Sequence, residues 1–282
     1  MPIHRERYRR REDGLDVRGR SWLVIAVNGL RILVKRRAFL FLMILAWIPA
    51  VVRAVQIYAA ANVPNVSQIG FLAIKGETFR DFLNQQEPFV FFLTVYAGSG
   101  LVADDLRARA LQLYLSRPVT RTQYIAGKAA ILMAALASVT WVPAMLLLFL
   151  VPIFAGSMTF VRENLYLIPA ISAYAMIHIT LSAFMVLALS SLSNSRWFVG
   201  VMYAGLAFFT HAMFGVIRAS VGSTMFSWVS IFSNLNQVGD MLFRVSPRYD
   251  TPPIVSALVL ASIIALSVFV LSRRIRAVEV VT

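Results

Sequence analysis

Six long apolar stretches, at about 38–61, 84–103, 124–155, 164–192, 197–217 and 254–272, constrain this chain more than any other feature. A helix needs about 20 apolar residues to cross a hydrocarbon layer roughly 30 Å thick, and each stretch meets or approaches that length. The expected fold class is an all-α integral membrane protein with six transmembrane helices, residues 21–282 forming one transmembrane domain. Composition agrees: 59% of the 282 residues are hydrophobic and 14% charged, against about a quarter charged in soluble domains.

The second stretch is the shortest. Only Pro88 to Ala103 is free of charge, and sixteen residues rise about 24 Å, so this span must begin earlier or thin the bilayer. The third and fourth stretches exceed the need. Pro143, Pro152 and Pro169, which lack a backbone donor, are expected to kink them or mark their outer ends.

Lys and Arg near span ends stay preferentially in the cytoplasm. With the N-terminus inside, 20 of the 27 lie on the inner side and 6 on the outer, with Arg53 inside the first span. The expectation is a multi-pass protein of the plasma or inner membrane with both termini cytosolic. Seven acids accompany the inner cations and six the outer, so the inner side carries +13 and the outer loops sum to zero. The net charge of +14 is thus a topology signal, and no nucleic-acid partner is needed to explain it.

Residues 1–20 contain Arg9-Arg10-Arg11 but no short apolar core with a small-residue cleavage site, and are expected to be a disordered, basic cytosolic tail. In "SWLVIAVNGLRILVKRR", Ser21, Asn28, Arg31 and Lys35 form one narrow polar stripe. That pattern suits an interfacial elbow helix with its cations at lipid headgroups. The outer segment 218–253 is too polar for a seventh span and is expected to be able to re-enter from outside as short helices.

The longest charged interruption is "ADDLRARALQLYLSRPVTRTQYIAGK", Ala103 to Lys128. Leu106, Ala110, Leu113 and Tyr114 fall on one helical stripe, opposite Asp105, Arg109, Gln112 and Ser116, which predicts a short amphipathic helix over 106–116. Pro118 stops it, and Thr120 with Gln123 makes a capping box that starts the next helix. Asp104 and Asp105 point about 100° apart on a helix and cannot share one substrate atom. Asp105 with Arg109 reads as an i,i+4 pair. Gly127-Lys128 lacks the glycine and the hydroxyl residue of a phosphate-binding loop, since Thr122 and Ala129 stand there, so the chain does not bind ATP in that way.

No metal site is expected: there is no cysteine, and His4, His178 and His211 lie far apart. Arg53 sits mid-span, where a charge costs roughly 2.5–3.5 kcal/mol. Together with His178 and His211 it is a candidate for lining a substrate path. No Asp or Glu is expected well inside a span, which counts against a proton-coupled carrier, and no nucleophile with a base and orienter points to an intramembrane hydrolase.

"LYLSRPVTRTQYIAGK" after "ADDLRARAL" resembles the cytosolic loop of the type 2 ABC exporter permease family: an acid, a short helix, a Ser-Arg-Pro turn, an arginine, and Gly-Lys opening the third span. It departs from many members at Arg109-Ala110, where they carry Gly-Thr. The serine-rich turn "LALSSLSNSR" and the elbow at 21–37 are similar to the family as well.

The resemblance implies a permease subunit, not itself an enzyme, paired with a second protomer as a homo- or heterodimer among membrane lipids. ATP and Mg would be held by two copies of a separate cytosolic ATPase. The residues between spans 2 and 3 would form the coupling helix that receives the ATPase stroke. Its grip would involve Asp104, Asp105, Arg107, Arg109, Leu111, Gln112, Tyr114, Arg117, Pro118 and Arg121. The alternatives are an ATP-independent carrier or channel, and a membrane-embedded lipid-modifying enzyme.

Overall fold

The structure is a computed structural model and describes residues 21–63, 73–110 and 119–277. Every regular element among them is helical: α1 (Ser21–Val34), α2 (Arg37–Asn62), α3 (Gly76–Gln85), α4 (Glu87–Leu93), a π segment (Thr94–Gly98), α5 (Gly100–Arg107), α6 (Arg121–Ala137), α7 (Trp141–Ala155), α8 (Thr159–Glu163), α9 (Leu167–Leu192), α10 (Arg196–Val221), a 3₁₀ turn (Ser227–Val229), α11 (Ile231–Leu242) and α12 (Pro253–Ala277). Six helical units are long and apolar enough to cross a membrane: Arg37–Asn62, Gly76–Arg107, Arg121–Ala155, Leu167–Leu192, Arg196–Val221 and Pro253–Ile275. The tail at 1–20 lies outside the described residues.

The fourth span, α9, is the centre of the bundle. Its most apolar window is 67% buried, against 17% for α2 and α10, whose apolar side chains face outward as lipid-facing helices require.

Span 2 begins ahead of its charge-free stretch, one of the two outcomes its short length allowed. It runs 32 residues, from Gly76 to Arg107, in place of about 84–103. One charge near each end has a partner on another helix, Arg80 with Asp240 and Asp105 with Lys128. Midway, the π segment loosens the backbone ladder, and α9 repairs it: Ser190 Oγ accepts from the N–H groups of Val102 (3.2 Å) and Ala103 (2.9 Å) and donates to the Ser99 carbonyl (2.8 Å). Gly98 permits this approach, since a Cβ there would stand 2.5 Å from Val186.

Span 3 breaks at 138–140. Ser138 and Thr140 hydroxyls bond back to the Ala135 and Leu136 carbonyls (2.6 and 2.9 Å), and Pro143 follows in the first turn of α7, where its missing donor costs nothing. Pro169 likewise sits in the first turn of α9.

Helix α1 lies along α6. Gly127 sets the contact, because a Cβ there would come within 2.8 Å of Ile25 and 3.0 Å of the Trp22 carbonyl. At the same end of the bundle, Val102 of α5, Tyr124 and Ala129 of α6, Leu187 of α9, and Leu271 and Ile275 of α12 form one small core. Both ends of the described chain therefore meet at this end, where Arg107, Arg109 and Arg121 also lie.

The segment before the last span contains no seventh span. It folds as α11, capped by Ser230, whose hydroxyl accepts from the Ser233 N–H, and its residues Ser233 to Asp240 are buried against α9, α10 and α12.

Candidate functional site

At the basic end, α5 carries Asp104 and Asp105 on the last turns of span 2, and α6 begins span 3. Asp105 closes the gap between them: its Oδ2 accepts from Lys128 Nζ (2.6 Å) and from the Tyr124 hydroxyl (2.6 Å). Lys128 is nearly buried, which explains why a lysine tolerates the start of a span. The expected Asp105–Arg109 pairing is thereby overturned, for a backbone reason. Leu106 and Arg107 end α5 where they were expected to begin a new helix, and Arg109 adopts a left-handed conformation (φ 52°). Residues 105 and 109 do not share a helix face.

Thr120 makes the expected capping box: its N–H donates to Gln123 Oε1 (3.1 Å) and its Oγ1 accepts from the Gln123 N–H (3.3 Å). Arg121 is the first residue of α6, and Arg107 and Arg109 are exposed. Leu111, Gln112, Tyr114, Arg117 and Pro118, on which the coupling-helix reading also falls, lie outside the described residues. The base of the connection between α5 and α6 lies within the described residues. Asp105–Lys128–Tyr124 ties the helix that enters it to the helix that leaves it.

Beside this network lies a cavity of about 570 Å³ between α1, α5 and α6, with Asp104, Asp105, Lys128, Arg36 and Arg196 in its wall.

The three substrate-path candidates are held separately. Arg53 donates to Gln56 Oε1 (2.7 Å) and Gln85 Oε1 (3.3 Å), so it joins α2 to α3. His211, on the surface of α10, meets Ser230 Oγ at 3.2 Å. His178 is buried on α9, with its ring 6.1 Å from that of Tyr174, and lines a cavity of about 20 Å³ with Glu87, Ser182 and Tyr203. That space suits a single water.

The structure also assembles a charged cluster that sequence reasoning missed, at the opposite end of the bundle. Arg80 of α3 is 1% exposed. Its Nε donates to Asp240 Oδ1 (3.1 Å), and its Nη2 donates to the Asn236 carbonyl (3.1 Å) and side-chain oxygen (2.7 Å). The guanidinium lies 4.8 Å from the centre of the Tyr174 ring, and Arg248 Nε holds the other Asp240 oxygen at 3.1 Å. Burial pushes the Asp240 carboxyl above its ordinary range, against the pull of Arg80 and Arg248. Gly239 makes room: a Cβ there would stand 2.7 Å from the Arg80 guanidinium. Tyr174 in turn donates to Glu87 Oε1 (3.3 Å). Glu87 thus belongs to the helical unit Gly76–Arg107, just ahead of its charge-free stretch. One local signal was present: Arg80 and Glu87 are seven residues apart, two helical turns, on the segment that had to lengthen a short span.

No protein-family model and no curated protein matches the chain.

Proposed function

We propose that this chain is the transmembrane permease subunit of an ATP-driven exporter, working with a separate cytosolic ATPase. The observation that carries the reading is the tie between spans 2 and 3 at the base of their connecting loop. A push on that loop acts on α5 and α6 together, because Lys128 and Tyr124 of α6 both hold Asp105 of α5. From α5 the stroke has a route inward through Ser190 to the central helix α9. Arg107 and Arg109, exposed at the entrance to the loop, suit an acidic or polar docking surface.

The test is co-purification from native membranes followed by nucleotide assays. An ATPase with a phosphate-binding loop is expected to accompany the chain, and Arg107→Glu with Arg109→Glu is expected to release it or uncouple its hydrolysis from transport. Transport by the purified chain in vesicles without nucleotide would overturn this reading.

That second outcome has support of its own. Glu87, on the helical unit of span 2, lines a small cavity with His178, and a carboxylate there would suit an ATP-independent, proton-coupled carrier. Loss of nucleotide-free flux on Glu87→Gln would mark this alternative.

A further inference from the structure

We propose that the 570 Å³ cavity at the basic end is a binding site for an ethanolamine phospholipid of the cytosolic leaflet. This rests on the membrane orientation of the proposed function, though not on its ATPase. The volume falls within the range of about 300–1,000 Å³ typical of small-ligand sites.

The cavity wall carries charges of both signs. Asp105 is already engaged by Lys128 and Tyr124. Asp104, half-buried in the same wall, has no hydrogen bond or ion pair among the described residues. Arg196 does not neutralise it, although its Cβ and Asp104 Oδ2 both lie within 4 Å of where a Cβ on Gly100 would stand. A half-buried carboxylate without a direct ion pair is free to accept a charge-assisted hydrogen bond from a bound cation. The guanidinium-bearing side chains of Arg36 and Arg196 are exposed at the same cavity and suit an anion. On α1 the wall mixes Ser21 and Asn28 with an apolar face that includes Val24 and Ile32, respectively 60% and 59% exposed.

A ligand that satisfies all three features carries a hydrogen-bonding cation, a phosphate close to it, and an apolar tail. A free amine answers only Asp104, phosphatidylglycerol answers the arginines and the apolar face but has no amine for Asp104, and a serine headgroup brings a second carboxylate against Asp104. A choline headgroup has no N–H to give the carboxylate. The ethanolamine phospholipid has a primary ammonium, a phosphate and acyl chains in one molecule.

The experiment uses the full-length chain purified in detergent. It is mixed with phosphatidylethanolamine, phosphatidylcholine and phosphatidylglycerol of matched acyl chains, and bound lipid is counted by native mass spectrometry. Wild type is expected to retain phosphatidylethanolamine about tenfold over either competitor, the effect of one charge-assisted hydrogen bond. Asp104→Asn is expected to bring the three to near parity, while Asp104→Glu keeps the preference. Equal retention of the three lipids by wild type overturns the proposal, as does an unchanged preference in Asp104→Asn, or displacement of the lipid by free ethanolamine at comparable concentration. Should the Asn variant fail to fold, the wild-type ranking decides alone. No nucleotide enters the assay, so its outcome is separate from that of the ATPase test.

Discussion

Arg80 and Asp240 are 160 residues apart in sequence and 3.1 Å apart in space, with both side chains closed off from solvent. The pair fastens α3, at the start of span 2, to α11, which spans nothing by itself. Removing Asp240 leaves Arg80 a buried charge without its carboxylate, and removing Arg80 leaves the buried Asp240 with Arg248 alone. Arg80→Met or Asp240→Asn is expected to destabilise the protein by about 3–5 kcal/mol. The double variant Arg80→Met with Asp240→Leu is expected to lose less than the sum, as read by thermal unfolding in detergent. Additive losses would show that the pair does not act as a unit.

Lys128 and Asp105 pose the same question at the basic end, with 10% and 17% of their side chains exposed. A double-mutant cycle on Asp105→Asn and Lys128→Met is expected to give a coupling energy of roughly 1–3 kcal/mol. If the junction transmits force, each single variant also lowers transport per ATP hydrolysed by more than its loss of folded protein explains. Equal losses in both readouts would assign the pair to stability alone.

Gly127 predicts a steric rescue. Gly127→Val drives a side chain into Ile25 of α1 and is expected to cost about 1–3 kcal/mol, as overpacking of close helices does. Adding Ile25→Ala is expected to restore part of the melting temperature. No recovery would mean that α1 does not rest on α6 as described.

Because the chain has no cysteine, single introduced thiols report topology without background. Met158→Cys, exposed after α7, is expected to react with a membrane-impermeant maleimide on intact cells. Asn194→Cys, exposed in the turn between α9 and α10, is expected to react only after permeabilisation. The reverse pattern would invert the orientation drawn from the Lys and Arg distribution.

Much of the fold was legible because a hydrocarbon layer imposes a local requirement. Uninterrupted apolarity over about 20 residues is written into each span, and the Thr120–Gln123 capping box into four adjacent residues. At span 2 the sequence required an earlier start but did not show what holds Arg80 and Glu87 there. A charge ends a span only when nothing in the protein receives it, and here Asp240, Asn236 and Tyr174 do. The reading failed at Asp105. Helical spacing offered Arg109 as a partner, but the backbone leaves the helix at 108–109 and turns that partner away.

The stretch from Ala103 to Lys128 thus divides between two sources. Sequence alone determined six spans, the gathering of most cations at one side, and the cap that opens span 3, since these depend on neighbours along the chain. Tertiary structure decided that α9 is the centre, that Asp105 belongs to Lys128 and Tyr124, and that a charged cluster closes the opposite end. Those choices are made by which helices pack together. A polar group inside a bundle takes its partner from whichever helix lies against it, and no local periodicity records that neighbour.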